Sequence, residues 1–376
     1  MKKSTHICHI TIGHNPTDDR IFYKEVKTLS ERYQKISVIA PNRFDPGLHP
    51  GIRFHLFREI GFFRNLLRAY KIARGLQADL YHIHEFEFLP FALILKYKYR
   101  KKIIYDAHET IYYYFTEFTR RPKLITFIPA VVAQALEWGC SHFTDHIITV
   151  TPWVAKGFKP FHKHISLIYN YPIVEMFDKT PQKDAPKNQP VILYHGQLAP
   201  ARNIHVMVES MVYVREKFPG AKQLIIGGVQ RWYKEQLDQI ISDNHLEKSV
   251  EFRPPVPYTD IPDLIQFATL GLSSMMPNES FKRSIQIKPF EFMCVGVPVL
   301  GCRVPSTEMY IEQTGSGMLV DPPTAENLGA IIIHLLSHPE IMQQMGKRGR
   351  QAVRKQFNWS KMKEPLFKIY EKVLTC

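Results

Sequence analysis

Thirteen short apolar runs rich in β-branched residues recur along the chain with helical stretches between them, and they fall into two series. The first comprises His6–Gly13, Lys35–Ala40, Ile52–Phe57, Asp79–His84, Lys102–Tyr105, His146–Val150 and Ile165–Tyr169. The second comprises Val191–Gly196, Gln223–Gly228, Val250–Arg253, Leu270–Ser274, Val297–Gly301 and Gly317–Val320. Alternation of strand-length and helix-length segments predicts βαβ units and parallel sheets. Residues 179–190 separate the series with three prolines and no large apolar side chain, the composition of a linker. The expected class is α/β, with two Rossmann-like domains facing each other across a cleft, because open parallel sheets bind ligands beyond the carboxyl ends of their strands. Residues 1–175 form the first expected domain and 190–357 the second. The terminal stretch Pro339–Thr375 reads as helix, interrupted at Trp359-Ser360, with Leu366, Ile369, Tyr370 and Val373 at helical spacing.

The 376 residues suffice for two cores, and the 45% hydrophobic content is that of a globular chain. No run of 18 apolar residues occurs, so no transmembrane helix is expected. The basic start Met1–Thr5 is followed by a strand carrying His6 and His9, which argues against a secretion signal. Five cysteines, none in a C-x-x-C pair, read as free thiols in a reducing compartment, so a cytoplasmic location is expected. Of the net charge of +14, residues 1–180 carry +10. That points to an anionic partner. With no helix-turn-helix, RNA-binding strand pair or zinc-finger spacing, nucleic acid is disfavoured and an anionic membrane surface preferred. The segment Phe62–Arg74 sets Arg64, Arg68, Lys71 and Arg74 on one helical face, and Lys96–Lys102 adds charge. A solvated helix face accounts for the same pattern.

Four stretches carry chemistry. The loop after the first strand, Thr11–Ile21, holds Gly13, His14, Asp18 and Arg20. A strand-to-helix turn there presents backbone N–H groups to phosphate, or is a plain turn capped by Thr17 or Asp18. A single glycine does not make a dinucleotide fingerprint. At the end of another strand, Asp106-Ala107-His108-Glu109 places titratable groups where ligands bind, His108 as a base or a steadying polar group. The segment Tyr194–Arg202 repeats the strand–glycine–cation arrangement: Gly196 admits close approach, and Arg202 can neutralise a leaving diphosphate. Finally Ile287–Leu300 reads as a helix starting at Lys288, because Pro289 is tolerated only in a first turn, and stopping at Gly296. Lys288 and Glu291 then lie one turn apart.

Taken together these stretches resemble glycosyltransferase family 4. His14, Asp18-Asp19-Arg20-Ile21 and Lys24-Glu25 are similar to the family's opening pattern, Asp106-Ala107-His108-Glu109 to its Asp-x-His-Glu, and Lys288-Pro289-Phe290-Glu291-Phe292-Met293 with Gly296-Val297-Pro298-Val299 to its Lys-Leu-Phe-Glu-Tyr-Met and Gly-x-Pro-Val. Phe357-Asn358-Trp359 and Tyr370 fit the closing pattern. The resemblance implies a GT-B fold whose final helix, 358–376, crosses back to the first domain. It implies a retaining enzyme that uses a nucleotide diphosphate sugar and no metal, and no Asp-x-Asp is present. By the same resemblance Gly13, Gly196, Arg202, Lys288 and Glu291 bind the donor, Glu291 through the ribose. His14, Asp18, Arg20 and Glu109 bind the acceptor, and His108, Asp106 and Arg202 serve catalysis. Two positions depart from many relatives: Arg283 stands where a first glutamate is common, and Gln197 where an arginine follows the glycine.

The acceptor implied is lipid-linked or a polysaccharide, as in lipopolysaccharide, O-antigen or capsule assembly. A nucleotide-sugar epimerase of the same architecture would need no acceptor. A degenerate, non-catalytic scaffold would accommodate Arg283 and Gln197.

Overall fold

The computed structural model describes residues 3–117, 122–178 and 189–375, with only the backbone of Lys123. Most of the expected linker 179–190 lies outside the described residues. Contacts divide the chain into two units, Met1–Asn170 with Trp359–Cys376, and Tyr171–Asn358.

All thirteen expected strands form. In the first unit β1 (Lys3–Ile10), β2 (Tyr33–Pro41), β3 (Ile52–Phe57), β4 (Leu80–Ile83), β5 (Lys102–Ala107), β6 (His146–Thr149) and β7 (Ile165–Leu167) make one sheet. Its order is β3-β2-β1-β4-β5-β6-β7, and every pairing is parallel. Helices α2 (Phe62–Leu76), α3 (Leu89–Tyr99), α5 (Lys123–Ser141) and α6 (Pro152–Phe158) cover one face. Leu66, Leu89, Ala133 and Phe158 from these helices bury Cys8, Ile10, Tyr81 and Ile83 of the central strands. The other face lies under α1 (Asp19–Val26) and the terminal helix α12 (Ser360–Thr375). There Trp359 Nε1 donates to Thr28 Oγ1 at 2.8 Å, and Tyr370 OH lies 2.6 Å from His82 Nδ1. Because side chains alternate along a strand, the residues between the apolar ones, His9 and His82, point to this second face.

In the second unit β8 (Val191–His195), β9 (Lys222–Ile226), β10 (Val250–Arg253), β11 (Leu270–Ser273), β12 (Val299–Cys302) and β13 (Gly317–Val320) form a parallel sheet ordered β10-β9-β8-β11-β12-β13. Helices α7 (Ile204–Lys217), α8 (Arg231–Asp243), α9 (Lys288–Cys294), α10 (Ala325–Ser337) and α11 (Pro339–Lys355) belong to it. Helix α9 begins at Lys288 with Pro289 in its first turn, and Gly296 follows it at φ 77°. Each sheet reverses strand order once, at β1/β4 and at β8/β11, and such a switch point is where the crevice beyond the strand ends opens.

One helix bears on the expectation drawn from apolar runs. The segment Leu124–Ser141 of α5 is long and apolar enough, by length and composition, to cross a membrane, with mean hydropathy 1.4. Gln134 and Glu137 interrupt its apolar run, so a search for unbroken apolar residues passes over it. Both side chains are buried: Glu137 accepts from Tyr105 OH at 2.6 Å and from Gln134 Nε2 at 2.5 Å. Those partners tie one side of α5 to the unit, and the apolar residues occupy the outer side.

Candidate active site

At the carboxyl ends of β1, β4 and β5 a cavity of about 370 Å³ is lined by Gly13, His14, His84, Glu85, Tyr105 and His108, together with Glu87, Glu109 and Tyr114. His108, partly exposed, presents Nε2 to Asp106 Oδ2 at 2.8 Å. Asp106 itself is fully buried. Arg20 holds it through two bonds of 2.9 Å, Nε to Oδ2 and Nη2 to Oδ1, and sends Nη1 to the Ile168 carbonyl at 3.1 Å. Burial opposes the Asp106 charge, but Arg20 and then His108 overcome it and hold the carboxyl well below the usual range. Asp106 is thus held beneath the cavity, in contact with His108. Arg20, expected at the acceptor, is 3% exposed and serves as the counter-ion of Asp106 instead.

The loop after β1 also differs from its expected use. Glu85, at the end of β4, accepts from Thr11 Oγ1, from Ile12 N–H at 3.1 Å and from Gly13 N–H at 3.1 Å. The amide expected to meet a diphosphate is thus occupied by a carboxylate. Asp18 caps α1 by accepting from the N–H groups of Arg20 and Ile21, and its Oδ2 lies 3.0 Å from His14 Nδ1. Burial works against charging His14, but the hydrogen bond and attraction of Asp18, with Glu85 and Asp19 behind, push its pKa up to about 9. His14 and His108 meet edge to face with ring centroids 5.7 Å apart. Glu109 is exposed at the rim.

In the second unit the candidate groups gather at the ends of β8 and β11. Gly196 has φ 119°, and an added Cβ would lie 2.2 Å from Lys288 Cε, so the lysine stem crosses directly over this glycine. Lys288 Nζ stands 5.5 Å from the centre of the Tyr194 ring. The next loop packs as tightly: a Cβ on Gly227 would meet the Gly196 carbonyl at 1.7 Å. Arg202 directs Nη1 to Met275 Sδ at 3.1 Å and lies over Phe281, 4.9 Å from the ring centre. Among the described residues no carboxylate forms an ion pair with Arg202, whereas Arg283 pairs with Glu279. Glu291 is 2% exposed, its Oε2 3.3 Å from His195 Nε2. Burial, with the Lys288 charge adding, pushes the His195 ring down to about 3, so it is neutral.

Sequence reasoning did not single out Glu85, His84 or the methionine and phenylalanine that seat Arg202. Glu85 reaches its loop across 72 to 74 residues, a distance at which no local pattern signals the contact. The alternation His82-x-His84 near a strand end was a usable signal, since it sets two imidazoles on one face.

Two nucleotide-binding-type sheets, each with its polar groups at the switch point, define the GT-B class of glycosyltransferase. Residues 20–171 match the model of Glycosyltransferase Family 4 and residues 176–352 that of Glycosyl transferases group 1; the chain carries both of these glycosyltransferase domains. It is 27% identical over 191 residues to the trehalose synthase of Pyrococcus horikoshii, covering 49% of this chain and 43% of that one. The chain spans about half the length of the curated relatives it matches. Among solved structures, sucrose-phosphate synthase from Thermosynechococcus elongatus superposes with a TM-score of 0.81 at 16% identity, over 99% of both chains. Anabaena HepE in complex with UDP-glucose superposes with a TM-score of 0.75 at 14% identity, over 98% of this chain and 99% of that one.

Proposed function

We propose that the protein transfers a glycosyl unit, with retention of configuration, from a nucleoside diphosphate sugar to a lipid-linked or polysaccharide acceptor in cell-envelope glycan assembly, at the cytoplasmic side of a membrane. The observation that carries the donor half is Arg202. A guanidinium seated on Met275 and Phe281, with no carboxylate partner among the described residues, keeps its charge for an incoming anion. Lys288 lies over the positive-φ Gly196 of the same strand end and adds a second cation. As the sugar–phosphate bond loosens, the departing diphosphate gains charge, and these two cations stabilise that charge most when it is fullest. Glu291 takes the ribose hydroxyls in this reading. HepE, a neighbour in fold, carries UDP-glucose in its own structure, which supports a nucleotide-sugar donor here.

The acceptor half rests on the cavity around His108. Its ring, fixed by Asp106, lines that cavity, and in this reading it steadies the polar transition state. The apolar side of α5 supports a lipid-linked acceptor. Leu124, Ile128 and Val132 recur every four residues and are 87%, 69% and 61% exposed. Helix α4 (Ile111–Glu117) packs on α5, and its Ile111 and Tyr114 line the cavity. An exposed apolar patch of this kind marks a contact surface. The basic residues of α2, Arg64, Arg68, Lys71 and Arg74, lie in the same helical layer and suit anionic lipid.

The test is an incubation of the full chain with UDP-, GDP- and ADP-sugars, each with and without a bacterial membrane extract. Acceptor-dependent release of nucleoside diphosphate, with sugar recovered in the lipid or glycan fraction, supports the reading. An epimer formed without acceptor favours the epimerase, and no turnover with no nucleotide bound favours the scaffold.

A further inference from the structure

The layer between the first sheet and helices α1 and α12 contains three histidines and a glutamate, of which His84 also borders the cavity described above. Beyond His82-x-His84 the sequence shows no metal-binding spacing, because the four residues come from three elements, brought together by the sheet. Parallel pairing sets His9 of β1 beside His82 of β4. Alternation puts His84 on the same face two residues on, and α1 lowers Glu25 onto all three. The side chains of His9, Glu25, His82 and His84 are each 0% exposed.

Their ligand atoms lie close together. His9 Nδ1 lies 3.0 Å from His84 Nε2. Glu25 Oε2 lies 4.0 Å from His9 Nδ1, 3.7 Å from His82 Nδ1 and 4.0 Å from His84 Nε2. One ligand atom from each residue falls within 4.8 Å of every other. Four ligands about 2.0–2.1 Å from one zinc ion stand about 3.4 Å apart, a spacing bracketed by the 3.0 Å and 4.0 Å separations above. Neither carboxylate oxygen of Glu25 has a hydrogen bond, although both are buried. Such a group is costly to leave unmet. One guanidinium, Arg20, 3.1 Å from Glu25 Oε1, also faces the fully buried Asp106.

The outer partners also suit a metal. His84 Nδ1 faces Asp106 Oδ2 at 3.5 Å, and His9 Nε2 faces Tyr370 OH at 3.3 Å. Metal-bound imidazoles commonly present the second nitrogen to a carboxylate or another polar oxygen in this way. His82 Nδ1 is at present engaged by Tyr370 OH at 2.6 Å, and releasing it leaves that hydroxyl to His9.

We propose that His9, His82, His84 and Glu25 hold one structural zinc ion, buried between the first sheet and helices α1 and α12. With four protein ligands the site is closed, as structural zinc sites are. Binding His84 through Nε2 leaves its Nδ1–H directed at Asp106, so the ion also helps position the carboxylate that orients His108.

The experiment uses the full chain without a histidine tag, purified with zinc and then desalted. Elemental analysis is expected to give about one zinc per chain, retained because binding is coupled to folding. Refolding with cobalt(II) should give the visible absorption of a tetrahedral site, and X-ray absorption should show three nitrogens and one oxygen at about 2.0–2.1 Å. Glu25→Gln and His82→Gln should lose the metal, while His334→Gln, on the exposed side of α10, should keep it. Wild-type protein without metal overturns the proposal, as does octahedral or sulfur ligation, or full metal content in Glu25→Gln. Should both ligand variants fail to fold, the wild-type spectra still decide.

Discussion

Arg20 and Asp106 meet through two parallel hydrogen bonds of 2.9 Å, both side chains buried and 86 residues apart in the chain. The pair joins the start of α1 to the end of β5 and so fixes the base on which His108 stands. Removing one member of a buried ion pair leaves the other charged group in a medium that does not solvate it. Arg20→Met should lower unfolding free energy by about 3–5 kcal/mol, measured by urea denaturation. A loss below about 1 kcal/mol, the scale of an ordinary surface change, would contradict this role.

His108 is held at one nitrogen, packs against the His14 ring and lines the cavity. His108→Ala should reduce turnover by about tenfold or more, equivalent to about 1.4 kcal/mol or above of transition-state stabilisation. The melting temperature should change little, because the ring is partly exposed. Steady-state kinetics beside a thermal melt separates the two effects. Unchanged turnover removes His108 from the reaction.

The pair His14–Asp18 should give the fold a pH dependence on the alkaline side. Asp18 raises the folded-state pKa of His14 from 6.5 to about 9. The stabilisation is complete below the unfolded value of 6.5 and is lost as pH rises through about 9. Asp18, depressed chiefly by His14 against its own burial, loses its share only in acid, below its ordinary value of 3.8. Denaturation midpoints should fall between pH 7 and pH 10. Asp18→Asn should abolish most of that slope and return the His14 ring resonance, followed by NMR, toward a midpoint near 6.5. A wild-type midpoint already near 6.5 would contradict the geometry.

These relationships were unequally legible in the sequence. Parallel strands buried on both faces read as continuous apolar runs, so each strand from β1 to β13 could be located. Asp106 and His108 lie two residues apart at a strand end and stand out as a motif. The partner that defines their behaviour does not: Arg20 reaches Asp106 from 86 residues away, and Glu85 likewise meets the loop after β1 only through the pairing of β1 with β4. The exposed side of α5 was hidden for another reason. Its buried Gln134 and Glu137 make the segment look ordinary until the structure shows which side faces out.

That outer side yields a separate prediction. Replacing Ile128 and Val132 together by glutamate should weaken flotation with vesicles containing anionic lipid, while melting temperature holds, since both residues are largely exposed. Equal flotation of variant and wild type would disconnect α5 from the membrane. Equal flotation with neutral and anionic vesicles would remove the part assigned to α2.

Binding of a nucleoside diphosphate to the second unit is the claim on which the reaction depends, and calorimetric titration of UDP and GDP into wild type and Arg202→Ala tests it most directly. One of the two nucleotides should bind wild type at a single site, and the variant should bind it about tenfold or more weakly, the loss of one charged contact. No binding of either nucleotide, or undiminished affinity in Arg202→Ala, would contradict it.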